Sequence, residues 1–241
     1  MIKKVNFYTR MKRAGNRILS VMYPPCCPAC GRTIGKSESF CPACQKELFL
    51  PQKDELCPRC GKKDCICAKT SLPYQHTWVA SFYEGAMQAA IRRFKFYFHP
   101  GSFSILGKMM AEALPENEKD NFDLIVPIPM WKKKRRDRGY NQSALLAREI
   151  SRRIHVPESE TALQKVRNTK AQHTLSAEER QKNLQGCFLA DEIVEGKKIL
   201  LVDDVLTTGS TAKEAAGALL YAGADEVGVL VLAVTRKNTW N

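Results

Sequence analysis

Nowhere does this chain approach the ~20 consecutive apolar residues that a membrane-spanning helix requires. Met1 to Pro25 carries scattered basic residues without the apolar core of a secretory leader. A cytoplasmic location is therefore expected. Histidine is scarce: His76, His99, His155 and His173 show no His-Glu-x-x-His or other paired spacing, so none is assigned a metal role. There is no Gly-x-Ser-x-Gly elbow of a serine hydrolase. Cysteine is almost missing outside one stretch. Nine of the ten fall between Cys26 and Cys67, and Cys187 lies apart in an apolar run, where it reads as a core residue. In a cytoplasmic protein these cysteines are not expected to form a disulfide framework.

Their spacing is that of metal ligands. Cys27-Pro-Ala-Cys30-Gly, Cys41-Pro-Ala-Cys44, Cys57-Pro-Arg-Cys60-Gly and Cys65-Ile-Cys67 follow one another. In such a turn two thiolates converge on one ion, the proline fixes the backbone and the glycine can take φ > 0; two turns complete a tetrahedral Cys₄ site. Cys27, Cys30, Cys41 and Cys44 form one zinc candidate, and Cys57, Cys60, Cys65 and Cys67 a second set. Two sequential sites or two interleaved ones would both use these eight residues, with Cys26 a spare or a substitute for Cys27. A complete Cys₄ shell leaves no open coordination position, so the zinc is expected to be structural and to supply much of the folding free energy of a head poor in apolar residues. The thioredoxin-type reading of Cys-x-x-Cys fails for want of a surrounding βαβ pattern.

Charge is unevenly spread. The formal net charge is +13, and residues 1–160 hold 28 Lys and Arg against 15 Asp and Glu, whereas 161–241 hold 10 of each. A basic surface of this kind attracts polyanions by counterion release.

With 241 residues the chain can bury a full α/β core beside a smaller unit. The expected division is a basic extension over 1–24, with six Lys and Arg, a cysteine-rich zinc-binding domain over 25–72, and an α/β domain over 73–241. From His76 onward strand and helix patterns alternate. Trp78 to Tyr83 reads as a strand, Met87 to Phe96 as a basic amphipathic helix, Leu106 to Leu114 as a second short helix and Pro115 to Asn121 as a loop. Asp123 to Val126 reads as a buried strand stopped by Pro127 and Pro129. The basic run Lys132, Lys133, Lys134, Arg135, Arg136, Asp137 and Arg138 follows, then a helix through about Ile154. A helix from Thr211 to about Ala222 and a buried strand from Val227 to Val234 close the chain.

The most informative segment is Ile199 to Thr211, ILLVDDVLTTGST. Its first four residues form an unbroken apolar run of the kind buried on both faces of a parallel sheet. Carboxylates are too costly to bury there, so the strand is expected to end at Asp203 and Asp204, at the carboxyl edge where open α/β sheets bind ligands. Thr207, Thr208, Gly209, Ser210 and Thr211 then lead into an alanine-rich helix, whose unpaired N–H groups and positive dipole end can hold a phosphate. The two aspartates can accept hydrogen bonds from vicinal hydroxyls or reach a bound Mg²⁺. The segment lacks the lysine of a Walker A loop and the spacing of a dinucleotide fold. Because the basic run sits at another strand end, it can bind pyrophosphate or nucleic-acid backbone, or serve only as a solvated face.

The ILLVDDVLTTGST segment resembles the binding loop of type I phosphoribosyltransferases. That resemblance implies that the acidic pair takes the ribose hydroxyls of phosphoribosyl pyrophosphate (PRPP) and the TTGST loop its 5′-phosphate. Together with the paired-cysteine head, Arg93-Phe94-Lys95-Phe96, Val126-Pro127-Ile128-Pro129, Arg138-Gly139-Tyr140-Asn141-Gln142, Arg167 to Gln172 and Glu179 to Asn183, it resembles the ComF family. The resemblance implies an α/β type I phosphoribosyltransferase-like parallel sheet flanked by helices, with an N-terminal zinc finger. It also implies a role in natural transformation and DNA uptake, handling single-stranded DNA in the cytoplasm with a ComFA-like helicase partner, with zinc and with Mg²⁺ accompanying PRPP. Lys165 to Gln172 resembles the flexible loop of orotate phosphoribosyltransferases, which implies Lys165 and Arg167 as candidates on the pyrophosphate side, closing over developing charge. An active transferase acting on a nucleobase or nucleotide is the alternative to a PRPP-binding accessory of DNA uptake.

Overall fold

The computed structural model describes residues 25–167 and 186–236 apart from 36, 53, 64, 66, 68–70 and 97–99. The N-terminal extension, residues 168–172 and Glu179 to Asn183 lie outside the described residues.

Four parallel strands build the main sheet: β1 (Thr77–Phe82), β2 (Leu124–Pro127), β5 (Lys198–Leu206) and β6 (Glu226–Val234), in the order β1-β6-β5-β2. Both faces are covered, which is why these strands read as continuous apolar runs rather than alternating ones. Leu200, Val202, Leu230 and Leu232 enter one core, while Ile199, Leu201, Val229 and Val231 enter the other. Pro127 occupies the last rung of β2, opposite Val202, and β2 is an edge strand where a missing N–H is tolerated.

Helices α2 (Gly85–Phe96), α3 (Pro100–Ala113) and α6 (Gln142–Ile154) cover the first face. On α6 the buried set includes Ser143, Ala147, Ile150 and Ile154, a helical stripe. Glu149 on α6 is 5% exposed, held by Ser104 and by Arg152 and Arg153. The opposite face carries α7 (Ser210–Tyr221), whose buried Ala212, Ala215, Ala216 and Leu219 let it lie close to the strands. Beside α7 stands the antiparallel pair β3 (Leu163–Lys165) and β4 (Phe188–Ala190). Cys187, just before β4, is fully buried, as expected of a core residue.

Three local expectations are corrected. The stretch read as a loop contains a short helix, α4 (Glu116–Lys119), with Pro115 at its N-cap and a Glu116–Lys119 ion pair. The second short helix begins earlier, at Pro100. The basic run is itself helical, α5 (Lys132–Arg138), and ends where Gly139 turns to φ 87 and its N–H reaches the Arg135 carbonyl. Long lysine and arginine side chains have good helix propensity, and a left-handed glycine cap stops the helix one turn short of α6.

The cysteine-rich head is fused to this core. It holds α1 (Pro42–Lys46), which starts from Cys41. Cys27 and Cys41 belong to the core that also contains Met87, Ile91 and Phe94 of α2, whereas Cys60 and Cys67 belong to the core on the opposite face. The head therefore straddles the β1 edge. Thr77 N donates to the Pro58 carbonyl at 2.7 Å, Phe82 N to Phe49 O at 2.9 Å and Ala86 N to Glu47 O at 3.1 Å.

Candidate functional site

The head contains two like-built turns. Gly31 N donates to Cys27 O and Gly61 N to Cys57 O, both at 2.8 Å, with Gly31 at φ 78 and Gly61 at φ 68. Within each group of four, Cys27, Cys30, Cys41 and Cys44 and then Cys57, Cys60, Cys65 and Cys67, the sulfurs all lie within 4.8 Å of one another. The sites are thus sequential, not interleaved, and Cys27 rather than Cys26 completes the first. A tetrahedral ion with ~2.3 Å bonds to sulfur separates its ligands by about 3.8 Å. The Cys30–Cys41, Cys57–Cys67 and Cys65–Cys67 sulfurs stand at 3.7, 3.6 and 3.5 Å, so the residues fit zinc. Burial and the neighbouring thiols push Cys44 and Cys60 well above the ordinary thiol range, a cost that a divalent cation relieves.

At the carboxyl edge of the sheet, β5 continues to Leu206 instead of ending at the aspartates. Because β2 stops at the Pro127–Val202 rung, β5 runs on with only β6 beside it. Asp203 and Asp204 thus sit where one flank of the strand is open, and both are only partly buried. Asp203 Oδ1 accepts from Ser143 Oγ at 3.0 Å and from Asp204 N at 2.8 Å. Lys95 Nζ lies 2.8 Å from Asp204 Oδ2. Burial, and then the Asp204 charge, push the Asp203 carboxyl up to about 7.

Four cations from three elements gather around the pair. Lys95 comes from α2, Lys134 and Arg138 from α5 and its end, and Lys165 from β3. Partial desolvation pushes Lys134 below its usual range, with Arg138 and Lys95 adding to the effect and the two aspartates opposing it. Desolvation likewise lowers Lys165, with Lys134 contributing and Asp203 opposing. For Lys95 the order reverses: its desolvation is outweighed by Asp204 and Asp203, and the ammonium is held above its usual value. The two carboxylates balance only part of this positive charge.

The turn after β5 completes the crevice. Gly209 takes φ 80 as the N-cap of α7, a conformation that disfavours any side chain. Thr208 is buried, and its hydroxyl meets Ser210 Oγ at 2.9 Å. Thr207 is exposed, and Ser210 and Thr211 open the twelve-residue α7.

Of the basic run, Lys134 and Arg138 are electrostatically influenced by the aspartates. Arg135 instead pairs with Glu160 at 2.9 Å, while Lys132, Lys133 and Arg136 are exposed. Arg138 also lies over the ring of Phe96, at 5.8 Å from its centroid, and Phe96 is 75% exposed. Lys165 sits over Phe188 at 5.6 Å, and Arg167 is exposed just beyond β3. Sequence reasoning missed Lys95 and Ser143. Lys95 had a signal, the Arg-Phe-Lys-Phe segment at the end of a helix; Ser143 had none. Among the described residues no helix is long and apolar enough to cross a membrane.

Residues 140–240 match the phosphoribosyl transferase domain, and residues 18–77 the double zinc ribbon domain. DNA utilization protein YhgH of Escherichia coli K12 is 33% identical over 213 residues, 87% of this chain and 90% of its own. Competence protein ComFC of Bacillus subtilis is 28% identical over 200 residues, 77% of this chain and 80% of its own. Among solved structures, a glutamine PRPP amidotransferase from B. subtilis, complexed with ADP and GMP, aligns at 25% identity with a TM-score of 0.37. The alignment covers 54% of this chain and about a quarter, 26%, of that one.

Proposed function

This chain belongs to the family of DNA utilization protein YhgH and competence protein ComFC, with a phosphoribosyltransferase-type domain and a double zinc ribbon; on that premise we propose that its crevice binds Mg²⁺-PRPP and that its basic face holds single-stranded DNA during DNA uptake in the cytoplasm. The observation that carries the ligand reading is the joining of an acidic pair to a helix N-terminus, ringed by Lys95, Lys134, Arg138 and Lys165. Each part of the ligand finds its chemistry. The vicinal ribose hydroxyls suit Asp203 and Asp204, the 5′-phosphate suits the N–H groups and hydroxyls of Thr207 to Thr211, and the pyrophosphate suits the four cations. The carboxylates are also the residues that would hold Mg²⁺, which neutralises phosphate charge when bound. For DNA, the supporting features are the exposed Lys132, Lys133 and Arg136 of α5 and the exposed Phe96 ring beside it. The resemblance adds a helicase-like partner of the ComFA kind.

Calorimetric titration of the zinc-loaded protein with Mg²⁺-PRPP tests the ligand reading. Saturable binding, lost in the Asp203→Asn/Asp204→Asn variant, is expected; no binding in the wild type sinks it.

Phosphoribosyl transfer is the second reading, favoured by the cations gathered where pyrophosphate charge would develop. The bond from C1 of the ribose to the pyrophosphate oxygen would break as C1 bonds to a nitrogen of the acceptor, and pyrophosphate would leave. Release of pyrophosphate that depends on an added base or nucleotide, and is lost in Asp204→Asn, is its signature. If no acceptor gives release above background, only the binding role stands.

A further inference from the structure

The last turn of α2 touches three separate parts of the molecule within four residues. At Gly31 in the first Cys₄ turn, a Cβ would lie 2.4 Å from Arg93 Nη2, so the guanidinium occupies the space that this glycine leaves open. Phe94 is 1% exposed in the core it shares with Cys27 and Cys41, and the Tyr140 hydroxyl donates to its carbonyl. Lys95 then reaches Asp204 at 2.8 Å. Residues two apart on a helix point in different directions. One side of this turn therefore rests on the zinc knuckle while the other reaches the acidic pair.

We propose that Arg93 is a positioning residue: seated on the first Cys₄ turn, it fixes the end of α2 so that Lys95 stays on Asp204, and so makes the crevice depend on an intact first zinc site. A lysine side chain has considerable rotamer freedom, and a helix end frays unless it is tied down. The Lys95–Asp204 pair lies at such an end. Phe94 and the Tyr140 contact hold the turn against the core, and Arg93 is the member that reaches the cysteine-rich head. Lys95 in turn sets the charge that an anionic ligand meets. The consequence for affinity rests on the ligand reading above, whereas the positioning itself does not.

Two measurements, on protein loaded with zinc at every intact site, test this. The first needs no ligand: mass spectrometry follows acylation of Lys95 by an amine-reactive ester. Arg93→Ala is expected to speed acylation of Lys95 several-fold, as Asp204→Asn should by removing the ion partner, with other lysines unchanged. Cys30→Ser, which removes one ligand of the first site, should act in the same direction. A Lys95 rate in Arg93→Ala equal to that of the wild type overturns the proposal. The second is a double-mutant cycle on Mg²⁺-PRPP affinity. Arg93→Ala should weaken binding about tenfold when Lys95 is present and by less than about twofold in a Lys95→Met background. Equal factors in both backgrounds overturn it, because Arg93 then acts by a route that bypasses Lys95. If the wild type binds no Mg²⁺-PRPP, the ligand reading fails, and the acylation rates alone decide the positioning.

Discussion

Lys95 Nζ and Asp204 Oδ2 stand 2.8 Å apart, joining the end of the helix that packs on the zinc head to the carboxyl edge of the central strand. Asp203, beside them, carries a different burden. Its carboxylate is desolvated, faces Asp204 and is stabilised by Ser143, the Asp204 N–H and Lys95 only in part, so its pKa stands at about 7. The two adjacent carboxylates thus carry electrostatic strain.

That strain has a pH signature. A carboxyl with a folded pKa above its unfolded value holds its proton more tightly in the folded state. The stability it contributes is present at low pH and is lost as pH rises through about 7. Between about pH 6 and about pH 8 the ligand-free protein should become less stable. Asp203→Asn, which cannot ionise, should flatten this dependence and melt above the wild type at the alkaline end. Thermal unfolding across that range checks it; parallel curves for the two proteins would contradict the assignment.

Zinc removal should reach beyond the head. Cys27 and Cys41 share a core with α2, and Cys60 and Cys67 share the core on the other face. Apparent binding free energies at such sites are ~10 kcal/mol or more, and they are folding free energy. We expect two zinc ions per chain by elemental analysis. Chelation should cost at least ~3 kcal/mol of stability, with faster hydrogen exchange in β1 and α2. Exchange confined to residues of the head would show that the two units fold separately.

On the basic face, charge and stacking can be separated. Replacing Lys132, Lys133 and Arg136 by glutamine should reduce the log–log salt slope of single-stranded DNA binding by about 2, at ~0.7 per phosphate contact. Phe96→Leu should instead weaken binding by ~1–3 kcal/mol with the slope unchanged, because stacking releases no counterion. Fluorescence anisotropy with a labelled oligonucleotide over a salt series distinguishes them. Binding that ignores both changes would leave α5 a solvated surface.

Gly209→Ala probes the phosphate loop. A side chain at φ 80 costs roughly 1–2 kcal/mol, which should appear in urea unfolding. Relaxation of the turn to escape that cost would also displace the N–H groups at the start of α7, so Mg²⁺-PRPP affinity should fall at least about tenfold. Lowered stability with unchanged affinity would remove this turn from the ligand site.

The primary sequence alone determined the parts of this molecule whose physics is local. Ile199 to Val202 had to be a strand covered on both faces, and the cysteine turns had to gather thiolates around metal. Gly209 with its hydroxyl neighbours marked a helix start, expected at Thr211 and found at Ser210. Tertiary structure decided everything that depends on which distant segments meet. The pairing of cysteines into sequential sites came from the docking of the two turns on opposite cores, since spacing permitted interleaving equally well. Strand β5 outran its expected end because β2 stops early, a fact about a neighbour rather than about the aspartates. Lys95 and Ser143 joined the site because the fold brings the end of α2 and the start of α6 to the aspartates of β5. Periodicity and turn chemistry are written in adjacent residues, but a through-space ion pair is written only in the packing of helices against a sheet.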